Sequence, residues 1–278
     1  MDPFQYCHDK VAMPGTPGYY AVLFQPPPVR NALVALRALQ CELDDVVERC
    51  SDRDIALRKL DYWRKELLSD NSAQPHPVSQ ALRESDRALR ESDRALLDSD
   101  ARAGLLEATV QRICQPQFQT EDEIDELSAA SAGVIAQACA HLASREPGQQ
   151  DNPAAAVKMA IAAERLRLLS LPRRAGLPAH SSIALSTLTA CALTPTLVDR
   201  GGDDQALVPL RQSLLDRLRD SLDEADRLIE SPKGYLATCS RLTRCLVASN
   251  QRNGYVFSGR LCRVAPLKLL WHAWRANG

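Results

Sequence analysis

The chain has 278 residues, of which 45% are apolar and 25% charged, with a formal net charge of -1. That length suits one large helical domain over residues 1–278, and the apolar share is enough for a sizeable core. The near balance of charge excludes the broad basic footprint of a nucleic-acid binder, so no nucleic acid is expected as a partner.

Aromatic residues are only 5%, while alanine, leucine and arginine abound. These three lose little on entering a helix. Runs of β-branched and aromatic residues that would argue for strands are almost absent. The predicted fold class is all-α. Met1–Lys10 is polar and reads as no signal peptide. Pro14, Gly15, Pro17, Gly18 and then Pro26, Pro27 and Pro28 punctuate the next stretch. A short helix is predicted over Tyr19–Gln25 and a long one over about Val29–Cys50, opened by the last of the three prolines. In the long helix Leu33, Leu36, Leu39, Leu43, Val46 and Val47 form one apolar face. Ser51 is the predicted N-cap of a helix that carries Leu57, Leu60, Trp63 and Leu67 and stops near Asp70–Asn71.

Residues 74–77 read as a loop, and a further helix begins near Val78. Residues 81–87 and 88–94 are an identical tandem repeat, with a worn third copy in 95–100. A seven-residue period keeps Ala and Leu on one face, and the expected outcome is a lengthened, solvated helix. More helices are expected at about 121–144, 153–170, 180–197, 205–230 and 233–250. The whole reads as one compact domain of roughly eight to ten helices, with no linker between independent parts.

Nine cysteines are widely spaced with no C-x-x-C pair, which argues against a zinc ribbon and for reduced, buried thiols in a cytoplasmic setting. No apolar run approaches the ~20 residues that span a bilayer. The five histidines show no ligand spacing, and no glycine-rich phosphate loop or Ser-His-Asp order is present. At the C-terminus, Pro266–Arg275 has the Trp and basic content of a membrane-surface segment. The expected arrangement, however, packs Trp271 and Trp274 against the helical core.

The chemistry concentrates in Asp44-Asp45-Val46-Val47-Glu48. Residues four apart share a helix face, so Asp44 and Glu48 stand together with Asp45 alongside. Such carboxylates can hold Mg²⁺ ions that also bridge a diphosphate. The order Tyr19-Tyr20, Pro26-Pro27-Pro28-Val29-Arg30, Asp44-Asp45-x-x-Glu48 and Trp63-Arg64-x-Glu66-Leu67 resembles the N-terminal third of bacterial squalene/phytoene synthases. The presqualene diphosphate synthase branch is nearest. Phe118, Thr120, Glu123, Ala132-Gly133, Leu177-Pro178, Tyr255, Pro266, Leu270-Trp271 and Trp274-Arg275 continue the resemblance along the chain.

The resemblance implies an isoprenoid-synthase-type helical bundle with a central cavity, where two prenyl diphosphates of the farnesyl class condense head to head. It implies Mg²⁺ on two facing aspartate motifs. Asp44, Asp45 and Glu48 would be the catalytic acids, and Asp44 and Glu48 the metal ligands. Tyr19, Tyr20, Arg30, Arg167 and Arg174 would bind substrate. The departures are equally specific. The family's tyrosine falls on Arg37, its arginine before the first motif on Cys41, its glutamine on Ile161, and the first aspartate of the second motif on Leu168. Arg165, Arg167, Arg173 and Arg174 crowd that place, and guanidinium binds phosphate directly. Asp122, Glu126 or Glu164 would be replacement acids.

The expected function is therefore a prenyl-diphosphate or isoprenoid-lipid binder with lost or reduced condensing activity. The alternatives are an active Mg²⁺-dependent prenyltransferase, or a non-catalytic helical assembly factor with a protein partner. For the last, Ala35–Leu43 resembles the phytoene-synthase-like mitochondrial complex I assembly factor. Peripheral membrane contact is a further expectation.

Overall fold

The computed structural model describes residues 1–50, 52–68, 75–89, 95–115, 117–144, 152–169, 183–200, 205–252 and 264–277. All regular structure among them is helical. The helices are α1 (Pro3–Val11), α2 (Pro17–Val22), α3 (Pro27–Arg49), α4 (Arg53–Leu68), α5 (Pro77–Ala88), α6 (Ser99–Cys114) and α7 (Glu121–Ser128). A π-helical turn, Ala129–Gly133, joins α7 to α8 (Val134–Ala143). Then come α9 (Pro153–Leu169), α10 (Leu185–Ala190), α11 (Pro195–Arg200), α12 (Val208–Leu228), α13 (Tyr235–Arg252) and α14 (Pro266–Arg275).

The centre of the bundle is α3. Val29, Ala32, Leu33, Leu36 and Leu39 are completely buried on it, and it packs against α1, α5 and α8. Alternation of Ala with Leu lets neighbouring axes approach closely while the leucines fill the gaps. A second cluster joins α9, α12 and α13 through Met159, Ala162, Leu166, Leu218, Leu222 and Val247. The two facing faces of α3 and α9 create the place where polar groups meet.

Several boundaries differ from expectation for local reasons. The long helix opens at Pro27, with both Pro27 and Pro28 in the first turn and Pro26 extended as its cap; prolines fit there because first-turn N–H groups are unbonded anyway. Asp52 caps α4, accepting from the Ile55 N–H at 3.0 Å; Ser51 lies outside the described residues, as do Asp70 and Asn71. The first copy of the repeat is helical and buries Ala81, Leu82 and Ser85. The helix then stops at Ala88, where the Leu89 N–H bonds back to Ser85 O. Leu96 and Leu97 return to the core, and Leu96 N–H donates to Asp86 Oδ1 at 2.7 Å. The repeat does not lengthen one solvated helix: Ala81, Leu82, Leu89, Leu96 and Leu97 are buried, while Ala88 and Ala95 are exposed; residues 90–94 lie outside the described set.

The described part of the predicted 180–197 helix, from residue 183 on, is two short helices; residues 180–182 lie outside the described set. Ala192, with φ 53, breaks them, and Pro195 opens the second. Neither α1 nor α6 was expected. α1 buries only Cys7 fully, and α6 buries Leu105, Leu106, Ala108 and Thr109.

Two glycines give opposite predictions. A Cβ on Gly18 would stand 2.1 Å from the Val11 carbonyl oxygen, whereas one on Gly104 meets nothing within 4 Å. Gly18→Ala should therefore cost about 1–3 kcal/mol through overpacking against backbone. Gly104→Ala, in the exposed middle of α6, should gain about 0.5–1 kcal/mol. Urea midpoints of the two variants check the contrast, and equal behaviour would disprove the close approach at Gly18.

A candidate active-site layer of acids and arginines

On α3, Arg37, Cys41, Asp44 and Glu48 recur at spacings of four, three and four, which places them in one row along the helix. The lower end of this row meets Arg112 from α6 and Glu164 and Arg167 from α9. Arg112 Nη1 lies 2.5 Å from Asp44 Oδ1 and its Nη2 3.5 Å from Glu48 Oε1 and 3.9 Å from Glu164 Oε1. Arg167 Nη1 donates to Glu48 Oε1. Its Nε and Nη2 donate to the two oxygens of Glu164 at 2.8 and 2.5 Å, and its Nε is 3.8 Å from Asp44 Oδ2. Three carboxylates thus enclose two guanidinium groups, pinning α3, α6 and α9 together.

The electrostatics follow from this crowding. Burial raises the Glu48 carboxyl above its ordinary value; Arg167 and Arg112 pull it down, but burial and the Asp44 charge win. Burial also acts on Glu164, yet Arg167, both by charge and by hydrogen bonding, and Arg112 overcome it and hold Glu164 at about 2. Arg167 bonds both oxygens of Glu164, whereas Glu48 shares its one bonded oxygen between two arginines. Arg167 is raised well above its ordinary value by Glu164, Asp44 and Glu48 against the opposing effect of burial.

Asp45 does not stand with Asp44 and Glu48. It turns toward α1, where Lys10 Nζ lies 3.0 Å from Oδ2, and Arg49 Nε lies 2.6 Å from Oδ1. Lys10 also meets Glu42 at 2.5 Å, and the Tyr6 hydroxyl donates to Glu42 at 2.7 Å. Tyr19 and Tyr20 form an edge-on pair with centroids 5.2 Å apart. Tyr20 is buried in the main core with Tyr19 packed against it, and neither bonds to the acid–arginine layer among the described residues. Arg30 Nη2 donates to the carbonyls of Leu23 and Gln25 at 2.8 and 3.0 Å, so its guanidinium closes the turn between α2 and α3. Arg165 is spent on Glu121 and Asp125. Arg173 and Arg174 lie outside the described residues, as does the side chain of Leu168.

At the upper end of the row stands Arg37. It neighbours the Tyr235 hydroxyl and the thiols of Cys239 and Cys139, which together with its hydrogen bond to Tyr235 raise it further above its ordinary value despite burial. No carboxylate among the described residues pairs with it. Arg112 went unrecognised in the sequence, although it continues the α6 row of Leu105 and Thr109 by the same helical spacing. Glu164 was visible only as one of three replacement acids.

Magnesium is the ion that the family resemblance implies. The donor set does not fit it in this arrangement. Asp44, Glu48 and Glu164 all have oxygens in contact with guanidinium groups that cannot be deprotonated, and a divalent cation would have to displace them. Among the described residues no group of three or more His, Cys, Asp or Glu is arranged to hold a metal ion. The expected consequence is a wild-type melting temperature that moves by less than about 1 °C when millimolar Mg²⁺ replaces a chelator. Arg167→Met should lose about 1–3 kcal/mol in chelator, discounted for partial exposure, and regain part of it in Mg²⁺. A wild-type gain of several degrees would show that the carboxylates take the ion in preference to the arginines.

The chain is an all-helical bundle in which α3, α6 and α9 meet in a layer of acids and arginines. The squalene/phytoene synthase family model matches residues 15–263, and the chain belongs to that family. Solved structures agree in fold. A dehydrosqualene synthase in complex with ligand superposes with a TM-score of 0.73 at 17% identity, covering 98% of this chain and 95% of that one. YisP from Bacillus subtilis strain 168 gives 0.70 at 12% identity over 98% and 95% of the two chains. Squalene synthase HpnC from Alicyclobacillus acidocaldarius gives 0.63 at 17% over 91% and 95%. No curated protein matches the chain in sequence.

Proposed function

We propose that this chain is a prenyl-diphosphate-binding member of the squalene/phytoene synthase family in which head-to-head condensation is lost or reduced. One observation carries the reading: Asp44 and Glu48, the acids of the first motif, are neutralised from within by Arg112 and Arg167. Ionising a diphosphate requires positive charge delivered to the leaving group, and here the arginines of the layer are already committed to carboxylates. Arg37 is different, being inside the bundle with a phenol and thiols for company. Arg37 is half-buried, and a partly desolvated cation without a carboxylate among the described residues would be satisfied by a diphosphate or other anionic headgroup. The eight described cysteines are all free thiols, which supports a cytoplasmic setting.

The test is incubation of purified protein with radiolabelled farnesyl diphosphate and Mg²⁺, for wild type, Asp44→Ala and Arg37→Met. Saturable binding without a C30 product is expected, with affinity lowered about tenfold or more in Arg37→Met, equivalent to ~1.4 kcal/mol. A C30 product lost in Asp44→Ala would establish an active prenyltransferase instead. Absence of any binding would favour a helical assembly factor.

A further inference from the structure

The last helix, α14, has three parallel rows. Leu269, Ala273 and Ala276 are buried. Lys268, His272 and Arg275 follow the same four-and-three spacing one residue earlier, about 100° around the helix. Another such step brings Leu267, Trp271 and Trp274, exposed by 80%, 49% and 58%. These are the two tryptophans expected to pack against the core, and the structure turns them outward. The reason is size: the small Ala273 and Ala276 allow α14 to lie close against α13 and α2, and Asn277 locks the end by donating to Thr238 and to the Ala273 carbonyl.

Charge distribution points to what covers this face. The chain is nearly neutral as a whole, yet residues 231–278 contain eight Lys and Arg and no Asp or Glu, leaving a formal charge of -9 on residues 1–230. Arg244 is neutralised by Asp223 and Asp226 of α12 and Arg260 and Arg263 lie outside the described residues, but α14 itself has Lys268 and Arg275 and no acid. Arg275 lies over the Trp271 ring at 5.3 Å from its centroid. Burial, with the charges of Lys268, Arg241 and Arg275, holds His272 below its usual range, another sign of concentrated positive potential. Alongside, the loop before α2 brings its backbone against Pro266, with 3.9 Å from a Cβ position on Gly15 to Pro266 Cγ, and exposes Met13.

We propose that the outer face of α14 is a docking surface for an anionic lipid bilayer, with Leu267, Trp271 and Trp274 entering the interface and Lys268 and Arg275 meeting headgroup phosphates. Tryptophan is suited to that place because its ring is apolar and its N–H stays wet. Lysine and arginine beside it supply attraction to anionic lipid. An acidic protein surface would match the charge equally, but has no special use for two half-exposed indoles and a leucine in one row. No helix of the described residues is long and apolar enough to cross a membrane, and the contact proposed is peripheral. It stands without the prenyl-ligand reading, because its test contains no prenyl diphosphate.

The experiment is flotation of the full chain with vesicles of phosphatidylcholine alone or mixed with phosphatidylglycerol, at low and high salt. Wild type should float with the phosphatidylglycerol vesicles, remain largely unbound with phosphatidylcholine, and release as salt rises. Trp271→Ser/Trp274→Ser should lower binding about tenfold or more. Lys268→Glu/Arg275→Glu should remove the lipid selectivity. All four side chains lie outside the core, and an unchanged circular dichroism melt confirms that each variant is folded. Absence of wild-type flotation, or equal flotation of the tryptophan variant, overturns the proposal. So does self-association in sedimentation that the tryptophan variant abolishes while vesicles bind nothing, since the face would then join two copies of the chain.

Discussion

Arg165→Met is expected to remove about 3–5 kcal/mol of folding stability, the cost of leaving a buried charge without its partner. The side chains of Arg165 and Glu121 are only 5% and 1% exposed, and they meet at 2.7 Å. Arg165 Nε also donates to Asp125 Oδ1 at 2.8 Å. Glu121 collects two further donors from the segment that follows the second motif, the Ala184 N–H at 3.1 Å and the Thr187 hydroxyl at 2.7 Å. One carboxylate therefore ties α7, α9 and α10 together. Burial pushes the Glu121 carboxyl up, but the bonds from Thr187, Arg165 and Ala184 outweigh it and leave it below the ordinary range. Without the guanidinium, two neutral donors must hold a charge in the interior. Arg217→Met is the contrast, because Arg217 is an exposed residue 3.8 Å from an exposed Asp122, and such pairs contribute about 0–1 kcal/mol. Chemical unfolding followed by circular dichroism should place Arg165→Met far below both wild type and Arg217→Met, with a melting temperature roughly 10 °C lower. Similar losses in the two variants would mean that the staple between α7 and α9 is incidental.

The same contrast explains what the sequence could and could not disclose. The long apolar face of α3 was legible because its period is local: Leu33, Leu36 and Leu39 announce a buried stripe without any knowledge of partners. The pairing of Asp44 with Glu48 was legible for the same reason. Their occupants were not. Arg112 is 68 positions from Asp44, and Arg167 is 119 from Glu48; no local pattern states that three helices will bring these groups together. The tandem repeat shows the limit from the other side. A seven-residue period says that Ala81 and Leu82 share a face, but not whether that face meets water or the core. On α14 two apolar rows compete, and periodicity cannot choose between them. The choice falls to shape, since the row with Ala273 and Ala276 lets backbones approach and the row with two indoles does not.

Acid should weaken the fold through Glu164, and Glu164→Gln should flatten that dependence. The folded carboxyl lies at about 2, below its ordinary value of 4.5. A depressed folded value means that the unfolded chain takes the proton more readily. The stabilisation is therefore complete above the ordinary carboxylate range and is lost as pH falls from there toward about 2. Each tenfold difference in proton affinity between the folded and unfolded chain is worth about 1.36 kcal/mol, so the full swing is about 3 kcal/mol. Glu48 works in the opposite sense. Its folded value is raised, so it is protonated in the folded chain before the unfolded one, and its contribution improves as pH falls. The two are linked through Arg112 and Arg167: once Glu48 is neutral, both guanidinium groups are left to Asp44 and Glu164, and the proton on Glu164 becomes harder to add. Of these two, Glu48 therefore takes its proton before Glu164. Glu121 is also depressed, but it is present in both proteins and drops out of the comparison. Urea unfolding at pH 6 and pH 3 covers most of that swing, and wild type should lose about 2 kcal/mol more than Glu164→Gln between the two. Parallel losses would mean that Arg167 does not hold Glu164 ionised, and the description of the layer as acids neutralised by their own arginines would fail with it.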